Sequence, residues 1–310
     1  MSEILDKEPP LVSIVVPFFN LVKNVDQCIR SLLAQSGDGF TFEVIAIDNG
    51  SHDGTWARLQ SFARHIRMLQ ETIPGAAAAR NCGIRAARGR YVALIDGDCV
   101  AGRHWLGALM AGAKNFTENI IVGGPILPKD PDTLVAVFSR NLFDQRKAMT
   151  SPRFPYAASG NMLVSRSLLL KVGLFDETFL RSHDVDFSWR ALKKCSARFV
   201  FVPAARVFHD NPRTLGELFR EGMKHGKGLA IICTRHSDFT GFSTRRRITG
   251  LMGYSLIISN FLHFIAGLHR RGKHAAISRA FHFYWGVFNG GKQLGCVLQG
   301  ARILLSNRQR

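Results

Sequence analysis

Asp96 and Asp98, with Gly97 between them, close the apolar run "YVALI". In extended backbone, side chains two apart share a face. Two carboxylates on one face repel each other unless a cation or a hydrogen-bond donor lies between them. Oxygen ligands of this kind suit Mg²⁺ or Mn²⁺, ions that usually join a carboxylate to phosphates. The competing reading is an ordinary Asp-Gly turn at a strand end, and the triplet alone does not choose.

A second acidic pair, Asp184 and Asp186 in "SHDVDFSWR", reads differently. Ser182 can cap a helix whose core face is Val185, Trp189 and Leu192. On that helix the two aspartates lie about 200° apart and cannot serve one point. Asp186 precedes Arg190 by four residues, the spacing of an intrahelical ion pair. Asp184, in the first turn, is left free to point at the sheet edge. Three further groups have both a structural and a chemical reading. The segment "DNGSHD" (Asp48 to Asp53) is an Asx/Gly turn or a ligand set. Arg80 is a surface or salt-bridging arginine or a ligand contact. His209, at the end of "ARVFH", is a structural histidine or a support for a metal or phosphate.

The surrounding pattern says what must hold these residues. "LVSIVV" reads as a buried strand stopped by Pro17, and Asn24 as the cap of the helix that follows. "FEVIAI", "IRMLQ" and "YVALI" read as further strands, separated by a helix over 56–65 and a small-residue helix that begins in "PGAAAARN". Such alternation implies parallel pairing with helices on both sheet faces. In these sheets ligands gather beyond the carboxyl ends of the strands. Pro17 to Asn20, Asp48 to Ser51 and Asp96 to Asp98 all fall there. Farther on come a helix near 134–146, a polar loop at "ASGN", and the strands "RFVFVP" and "ARVFH".

These motifs, in this order, resemble the inverting family 2 glycosyltransferases of the GT-A fold. The likeness runs from Leu11 to Asp210 and rests on "VSIVVPFFN", "IAIDNGSHDGT", "GAAAARNCGIRAARGRYVALIDGDC", "VGLFDETFLRSHDVDFSWRAL" and "VFHD". It implies a mostly parallel, Rossmann-like sheet flanked by helices, and a nucleotide-sugar donor held by Pro17, Phe19, Asp48, Asn49, Arg80 and Asp96. It also implies a divalent ion (Mg²⁺ or Mn²⁺) on Asp98 with support from His209, and Asp184 as the general base toward the acceptor hydroxyl. Two positions depart from the family pattern. Phe19 stands where Tyr is commoner, and His183 stands where the family usually has Glu. The second departure also motivates a catalytically degenerate reading.

Charge bounds the partners. The 310 residues carry 41 Lys+Arg against 23 Asp+Glu, a net +18. Residues 211–310 hold 16 of the basic and 3 of the acidic residues, so most of the excess lies there. We therefore expect a catalytic domain over 1–212 and a basic, apolar helical extension over 213–310. The uncharged stretch Gly250 to Leu268 lies between basic clusters, and Phe281, Phe283, Tyr284, Trp285 and Phe288 follow it. Aromatics with Arg/Lys on amphipathic helices suit a membrane interface. The expectation is a peripheral enzyme on the inner face of the cell membrane, with spanning, or simple packing on the catalytic domain, as alternatives. A lipid-linked glycan in polysaccharide or glycolipid assembly is the expected acceptor. Nucleic acid is not an expected partner, because the tail lacks the interleaved basic and aromatic platforms of single-strand binders. A nucleotidyltransferase would need a Lys/Arg-rich loop after the first strand, and "PFFNLVKN" offers only Lys23. The six scattered cysteines show no zinc-like spacing and suit reduced thiols in a cytosolic setting. The polar, acidic start "MSEILDKEPP" does not resemble a secretory signal.

Overall fold

The computed structural model describes residues 9–36, 39–115, 118–129, 133–139, 143–179 and 181–240, with positions 283–285, 287–292, 294–296, 298–299 and 302. Among these the chain forms two compact units. The first comprises residues up to Leu127, Asp144–Thr178 and His183–Asp210; the second comprises Pro128–Phe143, Phe179–Ser182 and the residues from Asn211 on.

In the first unit the opening alternation becomes β1 (Val12–Phe18), α1 (Val25–Leu33), β2 (Phe42–Asp48), α2 (Thr55–Gln60), β3 (Arg67–Gln70), α3 (Ala76–Ala86) and β4 (Tyr91–Ile95). After β5 (Cys99–Ala101) and α4 (Trp105–Ala113), β6 (Ile120–Gly123) returns to the main sheet. Next in the chain come β7 (Ile126–Pro128), α5 (Leu134–Ser139), α6 (Gln145–Met149), β8 (Asn161–Ser165), α7 (Arg166–Val172), α8 (His183–Cys195), β9 (Arg198–Phe201) and β10 (Val207–His209). The described strands form a seven-stranded sheet in the order β3-β2-β1-β4-β8-β6-β9 and a small sheet in the order β5-β10-β7. Pairing is parallel among β1 to β4 and between β6 and β9, while β8 runs against both β4 and β6.

The strand period of two sorts the core. Val12, Ile14 and Val16 join Cys28, Ile29 and Leu32 of α1 and Trp105, Leu106 and Leu109 of α4 on one sheet face. Val15, Ile45 and Ile47 join Ala79 and Ile84 of α3, Leu168 of α7 and Phe187 of α8 on the other. Each Val, Ile, Leu or Phe among them, taken fully from water, contributes on the order of 1.5–3 kcal/mol. Helices therefore cover both faces, and ligand access is left to the strand ends.

Several expectations change in detail. β1 does not stop at Pro17 but runs to Phe18. Pairing with β4 ends at Val15, so Pro17 lies against β2 alone, where proline is tolerated. Asn24 occupies the N-cap position of α1 without a side-chain cap bond, and its amide donates to Asp210 (3.1 Å) instead. The helix expected near 134–146 is two separate pieces, α5 and α6. On α8 the apolar side buried against the sheet centres on Phe187, Ala191 and Cys195 rather than on Val185 and Leu192, though Trp189 is also buried. Ser182 has φ 64°, not the extended backbone of an N-cap.

Asp186 behaves as its spacing predicts. It is 2% exposed, and it accepts from Arg190 Nε at 2.7 Å. Arg190 also donates to the carbonyls of Val172 and Leu174, which ties α8 to the end of α7. Asp186→Ala is expected to cost about 3 kcal/mol, because it strands a largely buried guanidinium. Chemical denaturation should show this loss, and a change under 1 kcal/mol would rule out the strut.

The second unit contains α5, α9 (Leu215–Arg235) and α10 (Ser237–Thr240), and helical backbone recurs at described positions beyond 283. A capping box starts α9, with the Thr214 hydroxyl accepting from Glu217 N and the Glu217 carboxylate accepting from Thr214 N. Val135, Phe138, Leu218 and Phe288 form this unit's core, with Tyr284 and Trp285 packed against it. These aromatics, expected at a membrane surface, are thus largely used for internal packing; Phe283 remains 41% exposed. Among the described residues no helix is long and apolar enough to cross a membrane. The apolar stretch Gly250 to Leu268 lies outside the described residues, as do Arg279, Phe281 and His282.

Candidate active site

The loops after β1, β2 and β4 meet at the carboxyl edge of the large sheet. Asn49 N donates to Phe18 O (2.8 Å), Asn20 N to the Ser51 hydroxyl (2.9 Å), and His52 N to the Asn20 side chain (2.9 Å). A Cβ on Gly97 would lie 2.6 Å from Pro17 O and 2.7 Å from the Phe18 ring. Only glycine lets the Asp96–Asp98 turn seat against β1.

Within "DNGSHDGT" the structure separates struts from free groups. Asp53 accepts from Val22 N and Thr55 N, while the Thr55 hydroxyl accepts from Leu21 N. The Thr55 hydroxyl bond and these amides hold the Asp53 carboxyl below its usual range. The Asn49 amide is used at both ends: it donates to the carbonyls of Glu71 and Ile73 and accepts from Gly75 N. Asp48 is different. It is 1% exposed, Oδ2 accepts from Ser51 N (3.3 Å), and Oδ1 has no hydrogen-bond partner among the described residues. A buried carboxylate oxygen left so is costly unless a ligand donates to it. Phe19, in the neighbouring loop after β1, is 56% exposed.

At the end of β4, Asp96 forms an ion pair with Arg80 of α3, which is 3% exposed. The other Arg80 amino group faces His183 Nε2 at 2.9 Å. Two residues on, Asp98 Oδ2 lies 3.3 Å from His209 Nε2, both side chains being about one-third exposed. The pairing follows from the small sheet, where Cys99 of β5 opposes His209 of β10. Burial pushes the Asp98 carboxyl up, but the hydrogen bond and charge of His209 outweigh it and hold the group below its ordinary value. Ligand atoms of Asp96, Asp98 and Cys99 lie within 4.8 Å of one another. Burial, then the two aspartates, push the Cys99 thiol well above its usual range, so it stays protonated and is a poor ligand. What remains is a hard, oxygen-rich set with one imidazole at its edge, which fits Mg²⁺ or Mn²⁺.

Asp184, in the first turn of α8, accepts from Val185 N at 2.9 Å through Oδ1 and from Ser159 N at 3.3 Å through Oδ2. Ser159 and Gly160 form a turn just before β8, and Gly160 faces the other carboxylate: a Cβ there would lie 2.8 Å from Asp96 Oδ2. The Ser159-Gly160 turn thus touches both Asp184 and Asp96. Reading the sequence missed how it is held. Buried Asn161 accepts from Trp105 Nε1 (2.8 Å) and donates to the carbonyls of Pro125 and Ala205. Gln145 accepts from Ala158 N and donates to Asn161 O. An Asn opening the apolar strand "NMLVS" was the available signal. Tyr156 was missed as well. Burial, with a contribution from the Asp184 charge, pushes its phenol up to about 12, so it is neutral near pH 7.

A mostly parallel sheet with three strand-end loops around a carboxylate cluster puts the candidate ligand site at the carboxyl edge of the strands. The description "Glycosyl transferase family 2" matches residues 13–173, just over half of the chain. Over 226 residues the chain is 30% identical to Glycosyltransferase AglE of Haloferax volcanii, covering 71% of this chain and 73% of that protein. It is 26% identical over 222 residues to the uncharacterized glycosyltransferase EpsJ of Bacillus subtilis, 67% of this chain and 64% of that protein. The chain belongs to glycosyl transferase family 2, and it is a glycosyltransferase.

Solved structures agree on the fold. A Pyrobaculum calidifontis mannosyltransferase in complex with GDP-Man and Mn²⁺ matches with a TM-score of 0.55 at 19% identity, over 97% of this chain and 80% of that one. S. aureus TarS 1-349 in complex with UDP matches with a TM-score of 0.53 at 15% identity, over 93% and 91%. The architecture is GT-A-type.

Proposed function

We propose that this glycosyltransferase moves a sugar from a nucleoside-diphosphate donor to an acceptor hydroxyl, with inversion, using a divalent ion. The observation that carries the reading is the Ser159-Gly160 turn, which lies against Asp184 on one side and Asp96 on the other. A general base and a donor-side carboxylate seated on one short turn suit a single displacement. The presence of GDP-Man with Mn²⁺, and of UDP, in two proteins of this fold supports a nucleotide donor.

In this reading the free Oδ1 of Asp48 accepts from the nucleobase, and Phe19 offers an apolar face beside it. Asn49 serves by holding the 71–75 segment rather than by touching the base. Asp98, with His209 beside it and Asp96 near, would hold the ion, which supplies positive charge to the diphosphate as it leaves. Asp184 takes the proton of the acceptor hydroxyl while that oxygen forms a bond to the anomeric carbon. The bond from that carbon to the phosphate oxygen breaks, and its electron pair leaves with the diphosphate. Attack from the face opposite the leaving group inverts the centre. Tyr156, neutral beside Asp184, can donate a hydrogen bond but does not compete as a base.

Titration calorimetry with UDP and GDP, with Mn²⁺ or with EDTA, tests the reading, followed by hydrolysis of UDP-, GDP- and dTDP-sugars. Binding of at least one nucleotide with Mn²⁺, lost in EDTA, is expected. If neither nucleotide binds under either condition, the donor site is wrong.

A lipid-linked acceptor at an anionic membrane surface completes the proposal. The net positive charge of residues 211–310 supports it, as do Leu134, Val137 and Leu215, which stand 69%, 49% and 41% exposed in the second unit. Each basic residue near such a surface contributes about 1 kcal/mol. Deleting everything after residue 244 would strip Phe288 from the unit's core, so charge substitution is the cleaner test. Replacing Arg245, Arg246 and Arg247 with Ala is expected to reduce cosedimentation with phosphatidylserine-containing vesicles about tenfold or more. Equal pelleting of both proteins, or equal pelleting on neutral vesicles, would remove the basic segment as an anchor.

A further inference from the structure

The buried cation between the two halves of the site has an unusual partner. Arg80 spends one amino group on Asp96, and it turns the other toward His183 Nε2 at 2.9 Å and Ala76 O at 3.2 Å. Its Nε is buried without a partner among the described residues. The guanidinium is always charged and can only donate. The imidazole nitrogen that faces it must therefore accept. His183 is 7% exposed, stands edge-on to the Phe175 ring (centroids 5.3 Å apart, planes at 90°), and lies 3.4 Å from the Ser159 hydroxyl.

We propose that His183 is a positioning residue for the donor site: a neutral imidazole, with its proton on Nδ1, that accepts from Arg80 through Nε2 and holds the guanidinium against Asp96. The role rests on the nucleotide-sugar reading given above. Because the imidazole carries no charge, the Arg80 charge is answered among the described residues by Asp96. Asp96 is thereby committed to Arg80, and Asp98 is left as the principal carboxylate for the ion. His183 also precedes Asp184 in the first turn of α8, so the same hydrogen bond ties the base to the donor side. Protonation of His183 would put a donor opposite a donor and break the tie. Among the described residues, the charged groups near it include Arg80 on α3, Asp96 at the end of β4 and the neighbouring Asp184 on α8.

The test combines a measurement on the unaltered protein with two variants. Long-range ¹H–¹⁵N NMR between pH 6 and 8 is expected to show His183 neutral with the proton on Nδ1; an imidazolium or an Nε2–H tautomer overturns the proposal without any mutation. For the variants, UDP and GDP affinity with Mn²⁺ is read by calorimetry. His183→Gln retains an acceptor oxygen and should stay within about threefold of the unaltered protein, whereas His183→Leu should weaken binding about tenfold. Unchanged affinity in His183→Leu, or equal losses in both variants, would mean that the ring acts by bulk and not as an acceptor. If the unaltered chain binds neither nucleotide, the donor reading itself fails and the role falls with it. If the unaltered chain binds and His183→Leu matches it, the positioning role alone fails.

Discussion

Asp184→Asn is expected to lower sugar transfer by about 10²–10⁴-fold while leaving nucleotide affinity nearly unchanged. An acceptor hydroxyl is a weak nucleophile unless its proton departs as the new bond forms, and the neighbouring groups are committed elsewhere. Asp186 is buried against Arg190. Asp96 is paired with Arg80, and Asp98 faces His209. His183 Nε2 faces a guanidinium. Asp184 alone combines a half-buried carboxylate with two backbone amides that fix its orientation. The Asn variant keeps one acceptor oxygen and places an NH₂ against the other amide, a cost of about 1–3 kcal/mol that thermal denaturation will register. The decisive comparison is turnover at saturating donor against nucleotide affinity. A near-normal rate in Asp184→Asn with a large loss in His183→Gln would move the base by one residue.

Asp98→Ala is expected to abolish Mn²⁺-dependent binding of UDP or GDP and to lower turnover by about 10²–10³-fold, the usual consequence of removing one major stabiliser of developing charge. Asp98 is partly exposed, so its removal leaves no buried cation stranded and the fold should persist. His209 loses its carboxylate partner but keeps its place in the small sheet, which is set by backbone pairing with Cys99. Calorimetry with and without EDTA separates this from a general loss of binding. If the variant still binds nucleotide only when Mn²⁺ is present, another residue holds the ion. Full activity of the unaltered protein in EDTA would remove the ion from the mechanism altogether.

Local and periodic features of this chain are legible in the sequence alone. The alternation of Val, Ile and Ala in β1, β2 and β4 set a buried sheet, because a strand period of two fixes which residues face each helix layer. The loops at Pro17, Asp48 and Asp96 fell at strand ends, and parallel pairing brings strand ends of one sense to one edge. The Asp186–Arg190 pair was visible because helical spacing alone places i and i+4 side by side.

Only the tertiary structure decided what spacing does not encode. Asn49 and Asp48 are adjacent in one motif, yet the first is held by residues 71–75 and the second keeps an oxygen without a partner among the described residues. The turn at Ser159-Gly160, carried by Asn161, Trp105 and Gln145, draws on segments more than fifty residues apart, and no periodicity links them. Arg80 and His183 are 103 positions apart and meet only because α3 and α8 pack on the same sheet face. The extension shows the same limit. Its aromatics looked suited to an interface, yet Tyr284, Trp285 and Phe288 pack with Phe138 of α5. Amphipathicity tells that a face will be covered; what covers it depends on which other apolar surface the fold brings within reach.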